Sequence, residues 1–129
     1  MRLLLDTHVL LWALAEPHRL SEDAADLIRT SSNEVLVSAA SAWEIATKYR
    51  LGKLPGAGPI VGGFAAHLAV LRAEELPVRS THALRAGSLV VEHRDPFDRM
   101  LAAQAIVEGV RLVTQDSVFS AVFKLETLW

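Results

Sequence analysis

The sequence predicts an α/β fold, a mostly parallel sheet with helices on both faces, and three observations predict it. Short apolar runs of strand character alternate with segments of helical composition along the 129 residues, an alternation that builds βαβ units and hence parallel pairing. The first run, Leu3-Leu4-Leu5, is apolar without a break, as strands covered on both faces are. Two acids, Asp6 and Asp116, come just after predicted strands, where sheets of this kind place their ligand sites. The length suits one core and is too short for two, so a single domain over residues 1–129 is expected.

The elements follow in order. Arg2-Leu3-Leu4-Leu5 is the first strand, and Thr7 to Ala15 reads as a short, mostly buried helix stopped by Pro17. Ser21-Glu22-Asp23 supplies an N-cap and an acidic first turn for a helix through about Thr30. Glu34 to Ser38 is a strand with β-branched residues. A third helix runs from about Ala40 to Leu51, with Gly52 as the residue just past its end. Five glycines and two prolines between Gly52 and Gly63 predict a flexible loop. Phe64 to Glu74 is helical in composition, and Leu76-Pro77-Val78 reads as a short strand whose proline suggests a sheet edge. Ser80 to about Leu89 is a helix. Another opens at Pro96 and runs to about Glu108, where Gly109 ends it. Arg111 to Thr114 is a strand, and a last one lies near Leu125 to Thr127. No repeat or low-complexity tract interrupts the series.

Composition removes several function classes. With no cysteine there is neither a disulfide framework nor a thiolate metal site. No segment reaches the roughly 18 consecutive apolar residues that span a bilayer, and Leu3-Leu4-Leu5 is too short for a signal-peptide core. A soluble, cytoplasmic protein is the expectation. The net charge of −2 does not advertise a nucleic-acid binder. Setting four carboxylates aside in a metal pocket turns −2 into +2, so charge neither supports nor excludes RNA. Hydrophobic residues make up 51%, enough to cover a partner or a second copy as well as a core.

Four acids fall where the fold would gather them: Asp6 after the first strand, Glu44 inside the third helix, Asp98 in the first turn of the helix from Pro96, and Asp116 after a late strand. Gathered carboxylates repel, and a folded chain tolerates them only around a cation or by protonating some. Hard oxygen ligands select Mg²⁺ or Mn²⁺, and such an ion promotes attack of water on a phosphodiester. Each acid also has a plainer reading. Asp95 before Pro96 is a good N-cap, which puts Asp98 at a position the helix dipole favours in any case. Glu44 and Lys48 stand four apart and suit a surface ion pair. Asp116 can cap a turn. Asp6 alone resists such a reading, because a carboxylate between an apolar strand and an apolar helix needs a reason to be there. His8, His18, His67, His82 and His93 show no zinc spacing. His8 and His93 flank acids, but the ordinary solvated or hydrogen-bonded role suits all five. Trp12, Trp43 and Trp129 read as core or interface anchors.

The acids sit in segments that resemble a known family. Asp6-Thr7-His8-Val9-Leu10-Leu11-Trp12 resembles the opening of PIN-domain toxins. The run Ser38 to Ile45, with Lys48 and Gly52-Lys53-Leu54, resembles their second motif. His93 to Ala105 resembles the third, and Leu112-Val113-Thr114-Gln115-Asp116 with Phe119 the fourth. All four stand in order across nearly the whole chain. The resemblance, to PIN-domain ribonucleases of the VapC toxin type, implies a three-layer α/β/α sandwich around a sheet of about five strands. It implies an endoribonuclease using Mg²⁺ or Mn²⁺, with Asp6, Glu44, Asp98 and Asp116 as metal-binding and catalytic acids. Thr114 and Thr7 would line the pocket, and Asp95 is the weaker rival to Asp98. It also implies an RNA substrate, a VapB-like antitoxin partner, a homodimer and no membrane.

Three other classes compete. A phosphate-accepting receiver domain needs an acidic pair after its first strand and a lysine ending a late one, whereas Asp6 stands alone and Gln115-Asp116 follows the late strand. A haloacid-dehalogenase-like phosphatase needs a second Asp where His8 stands, and more length. A PIN-like binding module, or a PIN nuclease that processes RNA without being a toxin, shares the fold. Loss of an acid would mark the former, and the small size speaks against the latter.

Overall fold

The computed structural model covers residues 1–129. Five strands form one parallel sheet: β1 (Arg2–Leu5), β2 (Glu34–Ser38), β3 (Glu74–Leu76), β4 (Arg111–Val113) and β5 (Thr127–Leu128), in the order β3-β2-β1-β4-β5. The chain winds outward from β1 through β2 to β3, then returns to β4 on the other side of β1. The switch point between β1 and β4 is where such a sheet opens a crevice at its carboxyl end.

Side-chain alternation along the strands divides the interior in two. Leu3 and Leu5 of β1, with Val35 and Val37 of β2, enter one core together with Val9 and Leu10 of α1 (Thr7–Ala15), Ile28 of α2 (Glu22–Arg29) and Ile45 of α3 (Ala39–Arg50). Leu4, Leu36 and Leu112 point the other way. They meet Leu101, Ala102 and Ala105 of α7 (Pro96–Glu108) and Phe119 of α8 (Val118–Ala121). Leu3, Leu4 and Leu5 are each fully buried, because β1 is central and covered on both faces. Helix α6 (Ser80–Ser88) packs against α7. Helices on both faces of a parallel sheet make the three-layer α/β/α sandwich expected from the sequence. No helix is long and apolar enough to cross a membrane.

The local signals behave as the sequence suggests. Ser21 caps α2 by accepting the amide of Ala24 at 3.0 Å, and Asp95 caps α7 through Phe97 at 2.9 Å and Asp98 at 3.1 Å. Gly52 and Gly109 follow their helices with φ of +76° and +64°.

Four expectations differ from the structure. Residues 52–63 are not a flexible loop. They form a 3₁₀ turn at Pro55–Ala57 and the short α4 (Gly58–Gly62), followed by α5 (Phe64–Val70). Each proline occupies a first-turn position that needs no amide donor, and Ala57 and Ile60 are buried in the first core. Helical composition at Phe64 to Glu74 gives way early, because β3 begins at Glu74. That strand ends at Leu76, before Pro77 rather than through it, since proline has no donor to continue a ladder. It is an edge strand, as the proline suggested. The last strand lies two residues later than expected, at Thr127–Leu128, paired with Leu112 and Val113.

Gly109 gives a direct test of the backbone. A Cβ there meets nothing within 4 Å, so substitution strains only the left-handed backbone. Gly109→Ala is expected to lower unfolding stability by about 1 kcal/mol and Gly109→Asn by less, measured by urea denaturation.

Candidate active site

Asp6 follows β1 and occupies the N-cap position of α1, yet its carboxylate makes no capping bond to that helix. Its main chain extends the sheet, with the amide donating to Val113 at 3.0 Å. The side chain is therefore left free at the carboxyl end of the central strand, and it is 5% exposed. Its partner comes from the neighbouring strand: the Thr114 hydroxyl donates to Asp6 Oδ2 at 2.7 Å. Thr114 Oγ1 in turn accepts the amide of Asp116 at 3.0 Å. One hydroxyl thus ties the two strand ends together across the switch point. A charge-assisted hydrogen bond contributes about 1.5–3 kcal/mol, whereas burial of a carboxylate costs several. Burial prevails, and the Asp6 carboxyl is held above its ordinary pKa, with the charge of Glu44 adding to the rise.

Glu44 lies on the buried side of α3, 4% exposed. The surface ion pair that its spacing suggested is in fact an inward one. Lys48 Nζ reaches Glu44 Oε2 at 2.5 Å from a side chain that is itself largely covered. Burial opposes the Lys48 charge, but the bond to Glu44 and the nearby charges of Glu44, Asp95 and Asp98 outweigh it and raise its pKa.

Asp98 faces the same region from the first turn of α7. Its Oδ2 meets His93 Nε2 at 2.9 Å, and the His93 ring packs edge-on against Phe123. Burial pushes the Asp98 carboxyl up to about 6, the His93 bond opposes this, and the charges of Asp95 and Asp6 add to it. Asp95 is committed to capping α7. Asp116 caps as well, accepting the Val118 amide at 3.0 Å, while sharing a recess of about 300 Å³ with Asp6. Thr7 turns to Ser41 at 2.9 Å and links α1 to α3.

Asp6 is thus within electrostatic reach of both Glu44 and Asp98, and Asp116 opens onto the same recess as Asp6. The carboxylates, with Thr114, offer only hard oxygen donors, the chemistry that suits Mg²⁺ or Mn²⁺. No three Asp, Glu or His side chains stand close enough to close directly on one ion. An ion held here would therefore take few of these carboxylates directly and keep several of its own waters.

One residue of this region carried no distinct signal in the sequence. Arg99 has no carboxylate partner and donates instead to four backbone carbonyls. These are Leu89 at 2.7 Å, Ala86 at 3.0 Å, His93 at 3.0 Å and Val91 at 3.4 Å. It satisfies the end of α6 and fixes the connection that carries His93 to Asp98. Trp43, expected as a core or interface anchor, is not in the core. It is 60% exposed, its ring edge-on to Phe97 at 4.7 Å.

The PIN domain family model matches residues 3–125. Ribonuclease VapC22 of Mycobacterium tuberculosis is 34% identical over 116 residues, covering 88% of this chain and 85% of that protein. Ribonuclease VapC16 of the same organism is 50% identical over 52 residues, 35% of this chain and 37% of that protein. Among solved structures, VapBC2 from Rickettsia felis, crystallised with a DNA fragment from its promoter, superposes with a TM-score of 0.67. It covers 99% of this chain and 98% of that one at 18% identity, a likeness of fold. A family match over nearly the full length, on a sheet whose carboxyl end gathers the acids, decides the assignment: the chain belongs to the PIN-domain family.

Proposed function

We propose that this protein is a Mg²⁺- or Mn²⁺-dependent endoribonuclease acting as the toxin of a VapBC-type toxin–antitoxin pair. The observation that carries the reading is the buried Asp6 carboxylate at the β1–β4 switch point, within reach of the charges of Glu44 and Asp98. The similar proteins from Mycobacterium tuberculosis, both named ribonucleases, support it. The partners in this reading are an RNA substrate, a VapB-like antitoxin and a second copy of the toxin. Exposed Trp43, Leu84 and Val90 are apolar surface that such protein partners would cover.

Asp6, Glu44, Asp98 and Asp116 would hold the ion, most of them through its own waters, since no three stand close enough to bind it directly. Mg²⁺ or Mn²⁺, when bound, acidifies a water and offsets the charge that builds on the phosphodiester. The chain's own contribution is positioning. Thr114 fixes the Asp6 carboxylate and joins it to the Asp116 backbone. His93 orients Asp98, and Arg99 holds the segment bearing His93. Lys48 neutralises part of the acidic charge from the side of α3, which lets these carboxylates share one end of the sheet in the metal-free protein.

The purified chain is expected to cut a total RNA preparation into discrete fragments with Mg²⁺ or Mn²⁺. EDTA should abolish this, and Asp6→Asn should slow it by about a hundredfold or more. Absence of cleavage by folded, antitoxin-free protein under every divalent metal tried would leave a binding module as the better reading.

The charge balance predicts a stability effect of opposite sign. In the metal-free fold Asp98 loses its proton at about 6 instead of near 3.8. Between those values the folded state holds a proton that the unfolded chain has lost, so this group's contribution to stability falls as pH rises. Asp98→Asn mimics the protonated form. In EDTA the variant should melt at a higher temperature than the parent at pH 7 and converge with it as pH falls below about 4. A melting difference unchanged from pH 4 to pH 7 would show that Asp98 is not strained by its ionisation.

A further inference from the structure

Glu44 differs from the other acids at this end of the sheet in the kind of partner it has. Asp6 is bonded by the Thr114 hydroxyl, Asp98 by the His93 ring and Asp116 by a backbone amide. Glu44 alone is held by an ammonium, that of Lys48. The chain's other ion pairs made by lysine or arginine, Arg2–Glu34, Arg19–Glu16, Arg29–Asp26 and Arg111–Glu126, are roughly half exposed or more on both sides. Here the glutamate side chain is 5% exposed and the lysine 29%. Lys48 bonds nothing else, so the other donors of its ammonium are unused by the protein. Burial opposes its charge, and Glu44, Asp95 and Asp98 together outweigh that opposition. The ammonium thus stands within reach of acids from both α3 and α7, on a flexible stem that is still partly in solvent.

We propose that Lys48 is a built-in counter-cation that competes with a divalent ion for Glu44, so that loading of the acidic site requires Lys48 to leave. The inference rests on the metal-dependent reading of the acids and adds how the chain itself restrains that loading. Glu44 is buried and has no partner but Lys48, and a buried carboxylate stripped of its partner is strongly destabilising. The pair therefore stabilises the metal-free fold. By the same bond it opposes a second cation, because an ion brought to Glu44, directly or through one of its waters, meets an ammonium already there. Like charges at one carboxylate repel, and burial strengthens the repulsion. The lysine is the partner free to yield. It has one bond to give up, and its ammonium is well hydrated once its stem swings outward. A lysine that served only to aim Glu44 at the ion would have the opposite effect on affinity.

The test measures metal binding in the absence of RNA. Mn²⁺ is titrated into the metal-free protein by calorimetry, and melting is recorded in EDTA and in Mn²⁺. Lys48→Met keeps the apolar stem and removes the charge. It should bind Mn²⁺ about tenfold more tightly than the parent. It should also melt lower than the parent in EDTA, where Glu44 has lost its partner, and gain more from added Mn²⁺. Lys48→Arg keeps the charge and should bind no more tightly than the parent. In a Glu44→Gln background, Lys48→Met should change Mn²⁺ affinity much less, since the carboxylate under competition is gone. Should Lys48→Met fail to fold, Lys48→Gln, whose amide still donates to Glu44, makes the same comparison. Equal affinity in the neutral variants overturns the proposal and leaves Lys48 a bystander to the ion. Weaker affinity overturns it in favour of a lysine that aims Glu44, and in both cases Mn²⁺ binding by the parent spares the metal-dependent reading. Binding by neither parent nor variants overturns both. Tighter binding by the neutral variants, with no RNA cleavage under any metal, upholds the competition and refutes the nuclease.

Discussion

The structure turns on one carboxylate placed where water is nearly excluded. β1 is the central strand, buried on both faces, and its last apolar residue is followed at once by Asp6. The sheet order puts β4 beside it, and so brings up Thr114, the only side chain that bonds Asp6 in this structure. A single neutral donor does not compensate a buried charge, which is why the Asp6 pKa rises. The other acids at this end of the sheet each have a partner of their own. Lys48 reaches inward, His93 bonds Asp98, and Asp95 and Asp116 spend part of their charge on helix and turn amides.

Much of this was legible because local and long-range signals agree. The unbroken Leu3-Leu4-Leu5 run specified a strand covered on both sides, and Asp6 after it marked the carboxyl end of that strand. Asp95-Pro96 specified a helix start, and the structure uses Asp95 as that cap. The burial of Glu44 was less accessible. Its spacing to Lys48 is the same for a surface pair and an inward one, and only the packing of α3 distinguishes them. The segment 52–63 misled through its glycines. Their freedom was counted, while the burial available to Ala57 and Ile60 was not.

Arg99 shows a kind of information that pattern reading does not reach. Its four acceptors are backbone carbonyls, which have no residue identity, and they come from a stretch up to thirteen positions earlier. Nothing in the composition of 86–93 announces that an arginine will bind it. The same holds for a recess beside Trp12. It is formed by α1 and by a segment expected to be loose, and it exists only because that segment is ordered.

The acids and the core therefore pull on the fold in opposite directions. The two apolar clusters meet at β1 and favour the closest packing of strands and helices. The same packing strips water from Asp6 and part of it from Asp98, which the folded chain tolerates at the cost of raised pKa values. A core optimised for stability alone would replace Asp6 with an apolar residue of similar size. That the strand instead ends in an acid, tied by Thr114 to the strand across the switch point, means that the fold gives up stability at one place. The place is the end of the sheet where this topology opens a crevice, and the strain is relieved there only when positive charge arrives.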